Sequence, residues 1–466
     1  MPGPSDPETE LIMEQLSWAP LAAAGRVGVA IRDITPPAGI LARNWGAADT
    51  DLAAGVHRPL RATALAISDG DGPTRYLVST DLGWWRNAAE EEGVRSRVLD
   101  ALGAEPADLL IHLVHTHSGP TLTATSPELQ GADLVPAYLD LLAERIIEAC
   151  REAAESAVEA TATFGTARCD VAVDRALVLG GRDLVAFNPG APADDTLLVG
   201  RITARDGRPL ATMINYACHP TTLGWQPPLI SPDWIGAARE EVERATGAPC
   251  LVLQGASGEL SPREQYGDGD LTDRVGRAIG YAALSGLTAM PPPGSRLGLA
   301  EVVESGTALG IWRPQPAEPS RTLRTIRPVA ELTTRPQPTP EELARRHAGI
   351  NPSAAAERLR RASQLRAGYI EGDMARHPLW VWRWGDAIVL AQAGEPYSWL
   401  QTELRRRHPD LAIFVLNCTN GPGFVYLPPA SVYGRDVYQV WQSEIVAGSL
   451  ERLVDLASSS ILELGD

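Results

Sequence analysis

Five apolar runs of this chain each break off into a short polar or glycine-rich turn, and this recurrence limits the fold more than any other feature. They read ADLLIHLVHTHSGPT (107–121), LATMINYACHPTTLG (210–224), PCLVLQGASGELSP (249–262), AIVLAQAGEPYSWL (387–400) and DLAIFVLNCTNG (410–421). Short continuous apolar runs bounded by turn signals are consistent with buried strands. Apolar residues at helical spacing predict helices between them, over 88–102, 135–157, 234–246 and 271–287. RATALAISDGDGPTRYLVSTDL (61–82) reads as two β runs joined by a Gly/Asp turn, a hairpin signal. The pattern predicts an α/β domain whose functional groups stand at strand ends. The first 24 residues read as a loose segment and 25–466 as a single domain. A Pro- and Arg-rich stretch around 312–370, which includes an Ala/Arg helical segment at 353–368, resembles an insertion or cap.

Composition narrows the function. The formal net charge is −17, which repels nucleic acid and anionic membrane as main partners. All 41 basic residues are Arg, so a P-loop lysine, Schiff-base chemistry and a lysine general base are excluded together. No apolar run approaches the roughly 18 residues of a membrane span. The first 20 residues carry four acids and no basic residue, unlike a secretory leader. Five widely spaced cysteines without a C-x-x-C predict no disulfide framework, so a reducing cytoplasm is the expected setting.

Chemistry concentrates at the strand ends. The chain has 8 His, three of them within six positions: His112, His115 and His117. On a strand, residues two apart share a face, so His115 and His117 point together and His112 points away. Two imidazoles presented together suit a zinc site, and they equally suit a polar strand end. His219, followed by Pro220, reads either as a ligand or as a satisfied strand-end histidine. LQGASGELSP offers Ser257 and Ser261 as hydroxyls, but Glu259 breaks the G-x-S-x-G of a nucleophile elbow. Glu395 reads as a strand-end carboxylate or a helix cap, and Tyr426 as a site residue or a packed turn aromatic.

Taken in order, VGVAIRDITPP, AAGVHRPLRATALAI, VSTDL, VHTHSGPT, PLATMINYACHPTTLG, LQGASGELSP, AGEPYSWL and GFVYLPP resemble the catalytic domain of the neutral/alkaline ceramidase family. The likeness runs over roughly 25–460 and is poor near 312–370. It implies an α/β fold with mixed β-sheets flanked by helices, and one zinc ion per chain held by His115, His219, Glu395 and Tyr426. It further implies that His117 faces substrate, that Ser261 is the active-site serine, and that Arg175 and Tyr438 contact substrate. The implied activity is hydrolysis of a linear amide C–N bond. Zinc suits that reaction, because it polarises a carbonyl and lowers the pKa of bound water to about 7. His117 could carry the proton to the leaving amine, and Arg175 or Tyr438 could meet developing charge. No lysine or second histidine adjoins Ser261 as a base, which favours water as the nucleophile.

The departures bear on the substrate. Relatives carry a C-terminal immunoglobulin-like domain, which is not expected here, and an Asp where this chain has Glu259. The turn before Tyr426 also differs. With 12 Trp against 4 Phe and its own insertion, the chain is expected to cut a smaller or more polar amide than ceramide. A metal-dependent esterase or lactonase on the same scaffold is the alternative enzyme. A non-catalytic binding or biosynthetic partner protein is the alternative outside catalysis. The expected partner is a small or lipid-like amide, with a homo-oligomer left open.

Overall fold

A large sheet of eight strands organises the molecule. In spatial order it contains Cys250–Gln254, Pro209–Tyr216, Thr196–Ala204, Val158–Arg168, Leu21–Asp33, Arg61–Ser68, Arg75–Thr80 and Leu109–Leu113. The two outer pairs are parallel and every inner pair is antiparallel, so the sheet is mixed. The predicted hairpin forms, with Ala62 opposite Thr80. The structure is a computed structural model. It describes residues 16–465 apart from 71, 124–126, 337, 347, 351, 365–368 and 422–425.

A second sheet runs Leu323–Ile326, Met374–Trp384, Ala387–Gln392, Ala412–Leu416, with Val329–Thr333 and Ile370–Glu371 also paired to Met374–Trp384. The two sheets pack face to face through Phe164, Trp384 and Phe414, whose rings lie 5.6–5.8 Å apart. Trp380, Trp382 and Trp384 alternate along one strand and therefore share the inner face. Buried indoles remove about 150–250 Å² each, worth about 4–6 kcal/mol apiece before chain entropy is charged. Their N–H groups are not orphaned: Trp380 donates to Pro106 O at 2.8 Å and Trp382 to Ala107 O at 2.7 Å. Those carbonyls precede strand Leu109–Leu113, so the second sheet is fastened to the strand that carries His112 and leads into His115 and His117.

Helices close both outer faces. Ala88–Leu102 and Val135–Glu155 cover one part of the large sheet, and Trp234–Thr246 and Gly269–Ala289 cover the other. Trp399–Arg407 and Ser449–Glu463 cover the second sheet. The layers run helix, sheet, sheet, helix, as amphipathic elements require.

The large sheet is strongly curled. Its outer strands, Leu109–Leu113 and Cys250–Gln254, turn towards each other until Gln254 N donates to His112 Nε2 at 2.9 Å and Ser79 Oγ to Val252 O at 2.7 Å. Residues 417–420, leaving the second sheet, fill the seam. Asn417 N donates to Gln254 O (3.0 Å), Leu113 N to Cys418 O (3.1 Å) and Ile111 N to Asn420 Oδ1 (2.9 Å).

Several boundaries differ from expectation. The first long strand begins at Leu21, inside the segment expected to be loose; residues 1–15 lie outside the described residues. The Pro/Arg-rich stretch is partly built into the second sheet, through Leu323–Ile326 and Val329–Thr333, and then forms helices Pro340–Arg346 and Pro352–Gln364. A closing helix starts at Ser449, behind Gly448 at φ 90°. No described helix is long and apolar enough to cross a membrane.

Candidate metal and active site

The seam is where the strand ends meet. Strand Leu109–Leu113 stops before the His115/His117 pair, so strand alternation does not aim them. His115 takes a left-handed backbone at φ 70°, uncommon for a non-glycine residue and costly enough to need enforcement. His115 N and Thr116 N both donate to Leu82 O, at 2.9 and 3.2 Å, and hold the turn. The result still separates the histidines by role. His112 is fully buried, with Nδ1 donating to Asn417 O at 2.8 Å and Nε2 accepting from Gln254 N, so both ring nitrogens serve the backbone.

His219 follows strand Pro209–Tyr216 and is completely buried. Its Nδ1 donates to Ser257 O at 2.7 Å, with Leu260 O at 3.1 Å, which leaves the Nε2 lone pair facing the seam. Glu395 stands on the short strand Glu395–Pro396, paired in parallel with Tyr426–Leu427 so that Glu395 is opposite Tyr426. Glu395 Oε2 lies 3.2 Å from His219 Nε2 and 3.2 Å from His115 Nε2. The latter approach lacks hydrogen-bond geometry and leaves His115 Nε2 buried without a hydrogen bond. Cys418 Sγ sits 3.3 Å from His115 Nδ1 on the far side of that ring.

His117 joins the group. The ring centroids of His115 and His219 are 4.9 Å apart, and those of His115 and His117 5.1 Å. Donor atoms of His115, His117 and His219 all lie within 4.8 Å of one another, a cluster that could hold a metal ion. The donor set suits a metal ion: the imidazole nitrogens meet the Glu395 carboxylate and lie beside the Tyr426 phenol, and His115 Nε2 is buried without a hydrogen bond.

The electrostatics agree. Burial, then the Arg175 guanidinium, pushes His219 down to about 3, so its ring is neutral. Burial would raise Glu395, but the adjacent His115 imidazole holds its carboxyl well below the usual range. Burial and Glu395 push the Tyr426 phenol well above its ordinary value. Arg175, fixed by Arg175 N donating to Glu259 O, is buried with its Nη2 donating to Gly258 O (2.8 Å) and Tyr426 Oη (3.1 Å), and 3.1 Å from His219 Nε2. Tyr438 begins helix Tyr438–Trp441 and stacks edge-on against Tyr426 at 5.6 Å.

Ser261 stands slightly apart. It is fully buried on strand Leu260–Pro262 beside Val173, and its hydroxyl reaches only Pro262 O at 3.5 Å. Ser257 lies nearer the histidines, with Oγ 3.3 Å from His219 Nδ1. A half-enclosed pocket of about 410 Å³ opens over His117, Arg175, Tyr426 and Tyr438. Its walls are aromatic. His117 lies between Trp45 (4.6 Å) and Trp84 (4.9 Å) with its ring tilted to both, and Trp45 continues to Trp225 and Tyr266. Sequence reasoning missed these tryptophans individually, although the Trp-for-Phe bias pointed to them as a group. The turn residues before Tyr426, 422–425, lie outside the described residues.

Comparison with known proteins gives fold, not close kinship. No protein-family profile matches the chain, and no curated protein sequence matches it. Two solved structures share the architecture. A ceramidase complexed with C2 is 15% identical, with TM-score 0.65 over 94% of this chain and 74% of that one. The neutral ceramidase from Pseudomonas aeruginosa is 16% identical, with TM-score 0.66 over 96% of this chain and 75% of that one. The fold is therefore ceramidase-like, with mixed sheets flanked by helices as the resemblance implied.

Proposed function

We propose that this chain is a zinc-dependent hydrolase of an N-acyl amide bond, acting on a substrate smaller or more polar than ceramide. The observation that carries the reading is the convergence of His115 Nε2 and His219 Nε2 on one Glu395 oxygen, 3.2 Å from each. Three strand ends contribute one donor each, and Tyr426 is held beside them by strand pairing. A single zinc ion held by His115, His219, Glu395 and Tyr426 would polarise the carbonyl and supply an activated water.

The remaining residues divide the other tasks. His117 lines the pocket between two indoles, which supports its receiving a proton and returning it to the leaving amine. Arg175 brings a fixed positive charge to the buried floor, where the carbonyl oxygen gains charge. Tyr438 flanks Tyr426 at the pocket wall and offers a hydroxyl to the substrate. A water nucleophile, with Ser261 as a positioning hydroxyl, is supported by the absence of any hydrogen bond from Ser261 to a histidine among the described residues. Substrate size is supported by the 410 Å³ pocket and its aromatic, half-enclosed walls. A cytoplasmic setting belongs to the same proposal, since five buried cysteines form no disulfide.

Elemental analysis of purified protein, with His115→Ala and Glu395→Ala beside it, tests the site. The expected result is about one zinc per chain, lost in both variants. Zinc retained by folded variants would refute the ligand assignment. Matched amide and ester substrates then decide the reaction: preference for the ester alone would make the chain an esterase, and no turnover of either by zinc-loaded protein would make it a binding protein.

A further inference from the structure

The Pro/Arg-rich stretch, expected to be an insertion, reaches the pocket through its second helix. Helix Pro352–Gln364 places Ala354 and Arg358 in the pocket lining. The Arg358 guanidinium stacks over the Trp441 ring at 5.0 Å. Trp441 meets Tyr438 at 4.9 Å, and Tyr438 meets Tyr426 at 5.6 Å. A ladder of three aromatic rings thus leads from the candidate metal site to one cation on the insertion helix.

The charge around this ladder is unusual for the molecule. The chain carries 58 acids against 41 basic residues, yet the described residues lining the pocket include Arg175 and Arg358 and no Asp or Glu. Arg175 is committed to the floor by its bonds to Gly258 O and Tyr426 Oη. Arg358 stands at the opposite end, its guanidinium carbon 5.0 Å from the centre of the Trp441 ring, where a cation over an aromatic face can still pair with a planar anion. An acid-free pocket in a strongly acidic protein discriminates by charge, because an anion is attracted there and repelled elsewhere.

We propose that Arg358 is a specificity residue that binds a carboxylate on the substrate, several bonds from the scissile amide. The proposal rests on the amide-hydrolase reading and names its substrate class: an N-acyl amide with an anionic far end. The carboxylate would lie against the Arg358 guanidinium while the chain between follows the aromatic ladder. A charge-assisted contact of this kind is worth about tenfold in affinity or more, and it should weaken as salt is raised.

The test uses the zinc-loaded, full-length protein and Arg358→Gln. Two substrate pairs place the charge on either side of the amide: the p-nitroanilides of suberic and octanoic acid, and N-octanoyl-6-aminohexanoate against N-octanoylhexylamine. In one pair, wild type should favour the anionic member about tenfold or more in kcat/KM. Arg358→Gln should erase that preference, with kcat/KM for the anionic member falling about tenfold further than for the neutral one. Calorimetric binding of the fragments suberate, 6-aminohexanoate, octanoate and hexylamine to both proteins is measured alongside. Carboxylate binding weakened about tenfold in Arg358→Gln supports the proposal even without turnover, and in that case only the hydrolase reading falls. Equal treatment of anionic and neutral members in both pairs, or carboxylate binding unchanged in Arg358→Gln, overturns it.

Discussion

Glu259 shows how one buried side chain sets a pH dependence. Its carboxylate accepts from Ser398 N at 2.9 Å and Ser398 Oγ at 2.5 Å, yet burial outweighs these bonds and pushes it up to about 7. Between the ordinary value of 4.5 and about 7 the folded protein therefore holds a proton that the unfolded chain has released. Stability falls as pH rises through that window. Glu259→Gln should flatten the dependence, removing a loss of up to about 3 kcal/mol, and urea unfolding at pH 5, 6 and 7 measures it. An identical pH slope in the variant would reject this account. The residue scale is also where the sequence spoke most clearly. The candidate ligands stood out because polar groups at the ends of apolar strands are conspicuous. The role of His112 as a structural group was legible too, but from strand parity that extends only to Leu113. Beyond it a left-handed His115 does the aiming, and no residue type in H-T-H announces a positive φ.

At the scale of elements, the short strand Glu395–Pro396 is positioned by backbone contact with Gly258. Gly258 N donates to Pro396 O at 2.9 Å, and a Cβ there would come within 2.7 Å of Glu395 O. Gly258→Ala should push this strand away from the histidines. The expected cost is about 1–3 kcal/mol in stability, with zinc affinity reduced by more than the stability loss alone explains; competition with a chelating dye reads the second effect. Unchanged zinc affinity would mean that the strand is placed by Tyr426–Leu427 instead. Helices such as Val135–Glu155 were legible because one face repeats every three to four residues and is buried. The Pro/Arg-rich stretch was legible only as a change of composition. That it supplies two strands to a sheet and a helix to the pocket depends on contacts with Met374–Trp384 and Trp441, which local sequence does not encode.

For the whole molecule, the curl of the large sheet is decisive, and nothing in the strand sequences revealed it. Sheet curvature arises from accumulated twist and from what packs on each face, so it belongs to no single segment. His112 closes the seam, and His112→Ala would leave the Gln254 N–H and Asn417 carbonyl buried without this partner. The expected cost is about 2–5 kcal/mol, by thermal or urea unfolding, with zinc still bound in the protein that remains folded. Zinc lost in parallel with His112 would show that the seam and the metal site are one unit. Stripping zinc with a chelator should lower Tm, and re-addition should restore it in proportion to the logarithm of free metal, as binding to the native state alone requires. A Tm indifferent to zinc would separate the metal from folding.

The seam also has a history during synthesis. It joins Ile111 to Asn420, 309 positions later, and Cys418 to His115, 303 apart. A growing chain must add more than 300 residues after the first of these strands before those partners exist. Until then the strands Leu109–Leu113 and Cys250–Gln254 present open backbone edges, the surfaces most ready to pair with another chain. Any truncation before residue 417 should therefore yield an aggregating product rather than a smaller folded one, so residues 417–420 act for the nascent protein as protection against its own sheet.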